Sequence, residues 1–311
     1  MLKRLLSTEA DDHIDELEKT MQAVVQAWQN SKLTEESEHI HSIYAPHGGG
    51  KTWLLGRWQK RWGGILLNLA SESRALAKYI QNMKTQLQNA PPKHILYLDN
   101  IPGTEDEMTH AFQEEILKPE LRARNLVIQA CTDSRQTGWG GKIPHITPNH
   151  IPPLSLEGAQ AVRRKFGVVS PLNETENILF SNGTLPGLVQ AWCEGLGQKK
   201  DTLGILRDYL AAWWNHSGEA LPENFSNHLL RLAALACRNA FDYHAAFSPS
   251  DRDILEQNGI HFSENGLAFQ IKMKRLGWMQ ANQGWYSPIA AVLQAWLFVN
   301  KPHVYKCLTE N

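Results

Sequence analysis

The chain has 311 residues and 42% of them are hydrophobic, which is enough apolar material for about two or three buried cores and excludes a disordered protein. Its formal net charge of -1 excludes a general electrostatic attraction to nucleic acid or to an anionic membrane. The four cysteines are far apart, so they predict reduced and mostly buried thiols rather than a disulfide framework or a zinc motif. Neither a signal peptide nor an apolar run of membrane-spanning length is evident, and we therefore expect a cytoplasmic protein without a membrane partner.

An amphipathic helix is predicted at the N-terminus. Residues 9–31 place apolar side chains, such as Leu17, Met21 and Val25, at the spacing of one helix face. We assign residues 1–35 to this helix and its flanks, and we expect its apolar face to lie on another part of the protein.

Strand-like and helix-like segments then alternate along the chain. Short apolar runs rich in β-branched residues predict strands, and longer amphipathic runs between them predict helices. The predicted strands are 39–45, 64–70, 94–100 and 125–131, and the predicted helices are 51–62, 72–89 and 105–117. This alternation predicts an α/β domain over residues 36–153, with a parallel sheet covered by helices on both faces.

A phosphate-binding loop is predicted between the first of these strands and the first helix. The sequence has the form A-x-x-x-x-G-K-T, in which glycines let backbone N–H groups converge on an anion while the lysine adds a positive charge. Its position between a strand and a helix is what a P-loop requires, so we predict ATP or ADP as ligand and a P-loop NTPase fold. The predicted nucleotide-binding residues are Pro46, His47, Gly48, Gly49, Gly50, Lys51, Thr52 and Trp53.

An acidic residue at the end of a later strand completes the predicted site. Asp99 ends the apolar run of residues 95–98, and together with the hydroxyl of Thr52 it is expected to hold Mg²⁺. Asn100 follows it, and an amide can orient a water molecule but cannot accept its proton, so we expect slow hydrolysis. Glu105 is a candidate substitute base, although first-turn acids such as Glu105 and Glu107 also favour a helix N-terminus.

Polar residues follow the next strand as well. Thr132, Ser134 and Arg135 come where the carboxyl edge of a parallel sheet meets its ligand. Arg135 is a candidate sensor of the γ-phosphate. The alternative is an exposed loop arginine paired with Asp133.

The remainder of the sequence is mainly helical. We predict a helical lid over residues 154–220 and a winged-helix domain over 221–311, the latter from two helices, a hairpin within residues 278–288 and a closing helix. Residues 222–311 hold similar numbers of basic and acidic side chains, which does not favour strong DNA binding. Around residue 186, the cap-competent Ser181, Asn182 and Thr184, followed by Pro186, favour a helix N-terminus.

The motifs together resemble the STAND-type ATPases, which are AAA+-related signal-transduction NTPases. The resemblance covers about residues 40–300 and includes the segments 45–52, 99–100, 132–135, 151–166 and 181–192. It implies that the first segment is the Walker A loop, that Asp99 is the Walker B acid and that Arg135 is the sensor arginine. It also implies that Pro186 contacts the nucleotide from the lid, although Gly183-x-x-Pro186 has one residue more than the G-x-P element.

Three classes of function fit these features. The first is an ATP-binding regulatory NTPase of the STAND/AAA+ type, with slow hydrolysis and a nucleotide-controlled switch in conformation or assembly. Its partners would be nucleotide and either another protein or a second copy of the chain. The alternative is an AAA+ DNA-associated ATPase of the origin-recognition or transposition-regulator type, whose winged helix binds duplex DNA. A metabolic P-loop enzyme such as a kinase is disfavoured, because no additional substrate-binding insertion is evident.

Overall fold

The computed structural model describes residues 14–32, 39–68, 85, 94–99, 125–131, 149–216, 220–262, 273, 278–279 and 284–310. The chain divides into two compact units. The sheet unit comprises residues 14–152, and the helical unit is built from residue 153 onward. Each unit is described separately below.

The sheet unit contains the parallel sheet that the sequence predicts. Its strands are β1 (Ile40–Tyr44), β2 (Ile65–Asn68), β3 (Ile95–Asp99), β4 (Leu126–Cys131) and β5 (Asn149–His150). They are ordered β2-β3-β4-β1-β5, and every pairing is parallel. The α/β prediction is therefore confirmed, and β4 lies between β1 and β3. The two-residue strand β5 was not predicted, because two residues give no periodic signal.

Two helices pack on one face of this sheet. They are α1 (Asp15–Gln29) and α2 (Lys51–Trp62). Alternate strand residues such as Ile43 and Ile128 join Trp58 of α2 and Met21 of α1 in one apolar core. The helices predicted over 72–89 and 105–117 lie outside the described residues, apart from the helical Thr85.

An ion-pair cluster links α1 to α2 within the sheet unit. Glu18 of α1 is buried, and its carboxylate accepts from the Arg57 Nε at 2.6 Å and from the Arg61 guanidinium at 2.9 Å. Because both arginines lie on α2, this carboxylate fixes how the two helices lie against each other. The N-terminal helix is thus part of the compact unit that carries the sheet.

The helical unit is formed by consecutive helices after residue 153. They are α3 (Leu156–Lys165), α4 (Glu174–Phe180), α5 (Pro186–Gly197), α6 (Thr202–His216), α7 (Phe225–Cys237), α8 (Tyr243–Ala246), α9 (Pro249–Gln257), α10 (Ser287–Asn300) and α11 (Pro302–Thr309). One apolar core runs through them, from Leu154 to Leu308. This core includes residues on both sides of position 220, where the sequence divides a lid from a winged helix.

Helix α5 begins where the sequence predicts a helix N-terminus. Pro186 occupies the first helical turn as expected, whereas the N-cap is Leu185 and no side chain caps this end. The cap-competent Ser181, Asn182 and Thr184 therefore precede the helix without capping it. Thr184 instead exchanges backbone hydrogen bonds with Leu154 in an antiparallel bridge, which places it in extended chain before the helix.

Part of the predicted winged helix is described. Helix α9 begins with a capping box formed by Ser248 and Asp251, as its sequence indicates. Met279 and Trp285 form an antiparallel bridge, and α10 follows it. Most of the second predicted helix lies outside the described residues, so the winged helix stays a prediction. Among the described helices, none has both the length and the apolar character needed to span a membrane.

Candidate functional site

The loop between β1 and α2 adopts the tight, glycine-dependent course expected of a phosphate-binding loop. Gly48 has φ of 77° and Gly50 has φ of 86°, both in the left-handed region that residues with a Cβ atom rarely adopt. The Gly49 amide donates to the Pro46 carbonyl oxygen at 3.0 Å, which closes a turn from Pro46 to Gly49. The backbone conformation of the loop therefore requires glycine at two of its three glycine positions, Gly48 and Gly50.

Gly49 is required by space rather than by conformation. A Cβ atom added there would lie 2.5 Å from the Cβ of Ala45 and 3.0 Å from the Pro46 carbonyl oxygen. Ala45 is buried, so its methyl group has little room to move away. Many such loops have glycine at the first position of the motif. Here that position is Ala45, and its methyl group packs on Gly49.

The N-terminus of α2 faces the loop without a side-chain cap. Its N-cap is Gly50, which has no side chain to offer, and the first turn contains no acidic residue. The first backbone N–H groups of a helix have no intrahelical partner, and the aligned peptide dipoles add a partial positive charge there. An anion is the ligand that satisfies both features, and this is the physical basis of phosphate binding at helix N-termini.

Lys51 lies at the first position of this helix, and its ammonium group reaches back over the loop. Its Nζ donates to the carbonyl oxygens of Ala45 and Pro46 at 2.5 and 2.8 Å. The positive charge is therefore already held at the mouth of the loop. Thr52 is exposed and follows Lys51 in the first turn of α2.

Asp99 ends β3 and is 2% exposed. The residue before it, Leu98, pairs with Gln129, so Asp99 lies beside Ala130. Ala130 in turn pairs with Ile43, the penultimate residue of β1. Two strand spacings of about 4.8 Å separate β3 from β1, which puts the Asp99 backbone about 10 Å from that of β1. Asp99 therefore lies at the same carboxyl edge of the sheet as the loop, with β4 between the two strands.

The structure adds polar contacts that the sequence interpretation missed. Gln129 of β4 donates to the hydroxyl of Ser42 on β1 at 2.7 Å, and both side chains are fully buried. Polar residues inside otherwise apolar strands were the available signal. Next to the loop, the rings of Tyr44 and His150 pack edge-on with their centres 4.9 Å apart. Desolvation by burial lowers the pKa of His150.

The remaining predicted site residues are not brought together by the described structure. Asn100, Glu105 and Arg135 lie outside the described residues. Pro186 belongs to the helical unit, and its nucleotide contact stays a prediction. Pro46 and His47 lie in the loop itself, between Ala45 and the glycines.

Comparisons with known proteins identify no family. No protein-family model matches the chain, and no curated protein matches it. Among solved structures, a similar chain is C. elegans PCH-2, with a TM-score of 0.36 and 11% sequence identity. The match covers 61% of this chain and 64% of that chain, so this chain spans less than two thirds of the length of PCH-2. A likeness at this TM-score carries no argument about function.

Proposed function

We propose that this chain is an ATP-binding regulatory NTPase of the STAND/AAA+ type, which hydrolyses ATP slowly and acts as a nucleotide-controlled switch in conformation or assembly. The observation that carries the proposal is the loop of residues 45–51. It combines two left-handed glycines, a third glycine without room for a Cβ atom, an uncapped helix N-terminus and a lysine ammonium at its mouth.

The donors of this loop suit a polyphosphate. Backbone N–H groups at the start of α2 are fixed in direction, so they bind phosphate oxygens without the entropy cost of ordering flexible side chains. The Lys51 ammonium can exchange two carbonyl acceptors for phosphate oxygens, which are stronger partners because they are charged. Other anions fit one part of this arrangement, whereas a nucleoside triphosphate uses the loop and the lysine together.

The oxygen ligands near the loop suit Mg²⁺. The exposed Thr52 lies in the first turn of α2, directly after the loop, and Asp99 ends β3 at the edge of the sheet from which the loop leaves. Mg²⁺ prefers oxygen ligands such as these and retains several waters. When bound, the ion would neutralise charge on the phosphate oxygens. In this role Asp99 serves the metal and is not available as a base.

Slow hydrolysis is part of the proposal. The residue after Asp99 is Asn100, whose amide cannot take a proton from the attacking water. Glu105 is the proposed substitute base and Arg135 the proposed γ-phosphate sensor. Steady-state turnover by Glu105→Gln and by Arg135→Ala tests these two roles, because each variant should reduce a rate that is already low.

The binding site is tested by the Lys51→Ala variant. We expect ATP affinity to fall by about 100-fold or more, because the variant loses the only side-chain cation of the loop motif. The fold should remain, with a stability loss of about 1–2 kcal/mol from the two hydrogen bonds to loop carbonyls. Isothermal titration calorimetry with ATP measures the first effect and circular dichroism checks the second.

The matched control is Lys60→Ala, which removes an exposed lysine from the other end of the same helix. It should bind ATP like the wild type. Equal ATP affinity in Lys51→Ala and Lys60→Ala would refute the site. The switch itself is tested by measuring the molar mass in solution and the hydrogen exchange of residues 181–192, each with ADP and with a non-hydrolysable ATP analogue.

A further inference from the structure

Trp53 is an unusual residue for the solvent face of a helix. It is 37% exposed, whereas Trp58 on the same helix is fully buried and Trp62 is half-buried against the core. An indole ring with this much exposed surface can stack on another aromatic group. Trp53 follows Thr52 directly, so it borders the proposed phosphate site.

The indole ring is held in place from one side. The Arg57 guanidinium carbon lies 5.4 Å from the centre of the Trp53 ring, one helical turn further along α2. Arg57 is itself fixed by the buried carboxylate of Glu18, at 2.6 Å. A cation over one face of an aromatic ring restrains it and leaves the opposite face for another planar group.

The helix surface beside Trp53 carries no side chain at Gly56. This glycine lies three residues later, on the same helix face, and a Cβ atom added there would meet no atom of the described residues within 4 Å. Glycine destabilises a helix interior relative to alanine, and within the described part of the chain neither a close contact nor a left-handed backbone requires it here. Trp53 and Gly56 together make an aromatic shelf with open space next to it.

We propose that this shelf, Trp53 with the bare helix surface at Gly56, binds the base of the nucleotide whose phosphates occupy the loop, and that it favours purines. The inference rests on the proposed nucleotide site. From the N-cap Gly50 to Gly56 the helix rises about 9 Å, a span that a ribose and a base can cover. Long side chains on a helix point towards its N-terminus, so the Trp53 ring lies on the phosphate side of its own backbone.

Every base can stack on an aromatic ring, and the strength of stacking grows with the area of the base's π surface. Purines should therefore bind more tightly than pyrimidines, while ATP and GTP should differ little on this shelf alone. The rival interpretation of Trp53 is a docking contact for another protein, which would leave nucleotide affinity independent of this residue.

The experiment compares ATP with inorganic tripolyphosphate, which has no base, on wild type, Trp53→Leu and Trp53→Phe. Trp53→Leu should weaken ATP binding roughly five- to a hundredfold, which is the range for loss of one base–aromatic stack, and should leave tripolyphosphate binding unchanged. Trp53→Phe should retain most of the ATP affinity, since it keeps a π face. The preference of wild type for ATP over CTP should disappear in Trp53→Leu.

Gly56→Ala tests the shelf independently of Trp53, because it adds a methyl group to the bare helix surface. Gly56→Ala should raise the melting temperature by about 2–4 °C through better helix propensity and should weaken ATP binding but not tripolyphosphate binding. Wild-type ATP affinity in both Trp53→Leu and Gly56→Ala would overturn the shelf while leaving the phosphate site intact. Failure of wild type to bind either ATP or tripolyphosphate would instead overturn the nucleotide site and the shelf with it.

Discussion

Each unit of the molecule buries a carboxylate to the same extent, but the two carboxylates have different surroundings. Asp99 in the sheet unit and Glu176 in the helical unit are each 2% exposed. Glu176 is enclosed by donors from its own unit, since it pairs with Arg163 at 3.0 Å and accepts from the Trp192 indole at 2.9 Å. Asp99 ends a strand at the edge of the sheet that carries the loop. Burial of a charge therefore does not by itself indicate function, and the position of the group in the fold decides.

The tryptophans show the same contrast. In the helical unit Trp192, Trp213 and Trp214 are at most 1% exposed and belong to the apolar core. In the sheet unit Trp53 is exposed beside the loop. Aromatic residues in the first group stabilise packing, whereas the second type of position is available to a ligand.

The largest effect is expected from Glu176→Gln. The change leaves the buried Arg163 guanidinium without its counter-charge, and loss of one partner of a buried ion pair costs about 3–5 kcal/mol. We expect denaturant unfolding of the helical unit to shift by this amount while ATP affinity of the folded protein is unchanged. Glu174→Gln, an exposed change on the same helix, should alter stability by less than about 0.5 kcal/mol. A matching loss of ATP affinity in Glu176→Gln would contradict the distinction between the two carboxylates.

A smaller effect on stability, but a large one on binding, is expected from Gly49→Ala. The new methyl group would meet the Ala45 Cβ at 2.5 Å, and overpacking of this kind costs about 1–3 kcal/mol and displaces the loop. Calorimetry should show that ATP binding is lost or greatly weakened.

The double variant Ala45→Gly/Gly49→Ala is the control for this steric cause. It removes the closest contact, so it should recover part of the stability and part of the ATP affinity, which a double-mutant cycle quantifies. If Gly49→Ala binds ATP normally, or if the second change restores nothing, the packed form of the loop is not what binds nucleotide.

The smallest effect concerns pH. Desolvation lowers the pKa of His150 below its ordinary value of 6.5, so the unfolded chain binds a proton at this site more readily than the folded chain. Stability should therefore decline as the pH falls below about 6.5. At pH 7.5 the wild type should melt at a higher temperature than His150→Gln. At pH 5.5 this difference in melting temperature should be smaller, because only the wild type loses stability through protonation of His150. A difference that is independent of pH would contradict this expectation.

Much of the sheet unit could be predicted from its sequence. Strands β1 to β4 and helix α2 agree with their predicted segments within a few residues, because alternating apolar runs bounded by glycine or polar residues are strong local signals. The loop glycines were recognisable for the same reason. The sequence did not indicate that Ala45 packs on Gly49 or that Gln129 bonds Ser42 across two strands, since both contacts join residues that only the fold brings together.

The helical unit was less predictable in its details. Capping boxes at α4 and α9 are formed by residues three apart, so they follow local sequence. The start of α5 at Pro186 agrees with the prediction, but the extended form of Thr184 was not evident, because its bridge to Leu154 joins segments 30 residues apart in the chain. Long-range pairing of this kind overrides local capping preferences.

The central claim is that Asp99 and the loop form one magnesium-nucleotide site, and it is tested most directly by measuring ATP affinity with Mg²⁺ and with EDTA in wild type and in Asp99→Asn. The substitution keeps the side-chain shape and removes the charge that would hold the ion. We predict that Mg²⁺ strengthens ATP binding in wild type, that this gain falls by about tenfold or more in Asp99→Asn, and that both proteins bind metal-free ATP alike. An equal gain from Mg²⁺ in the two proteins would show that Asp99 is not part of the site.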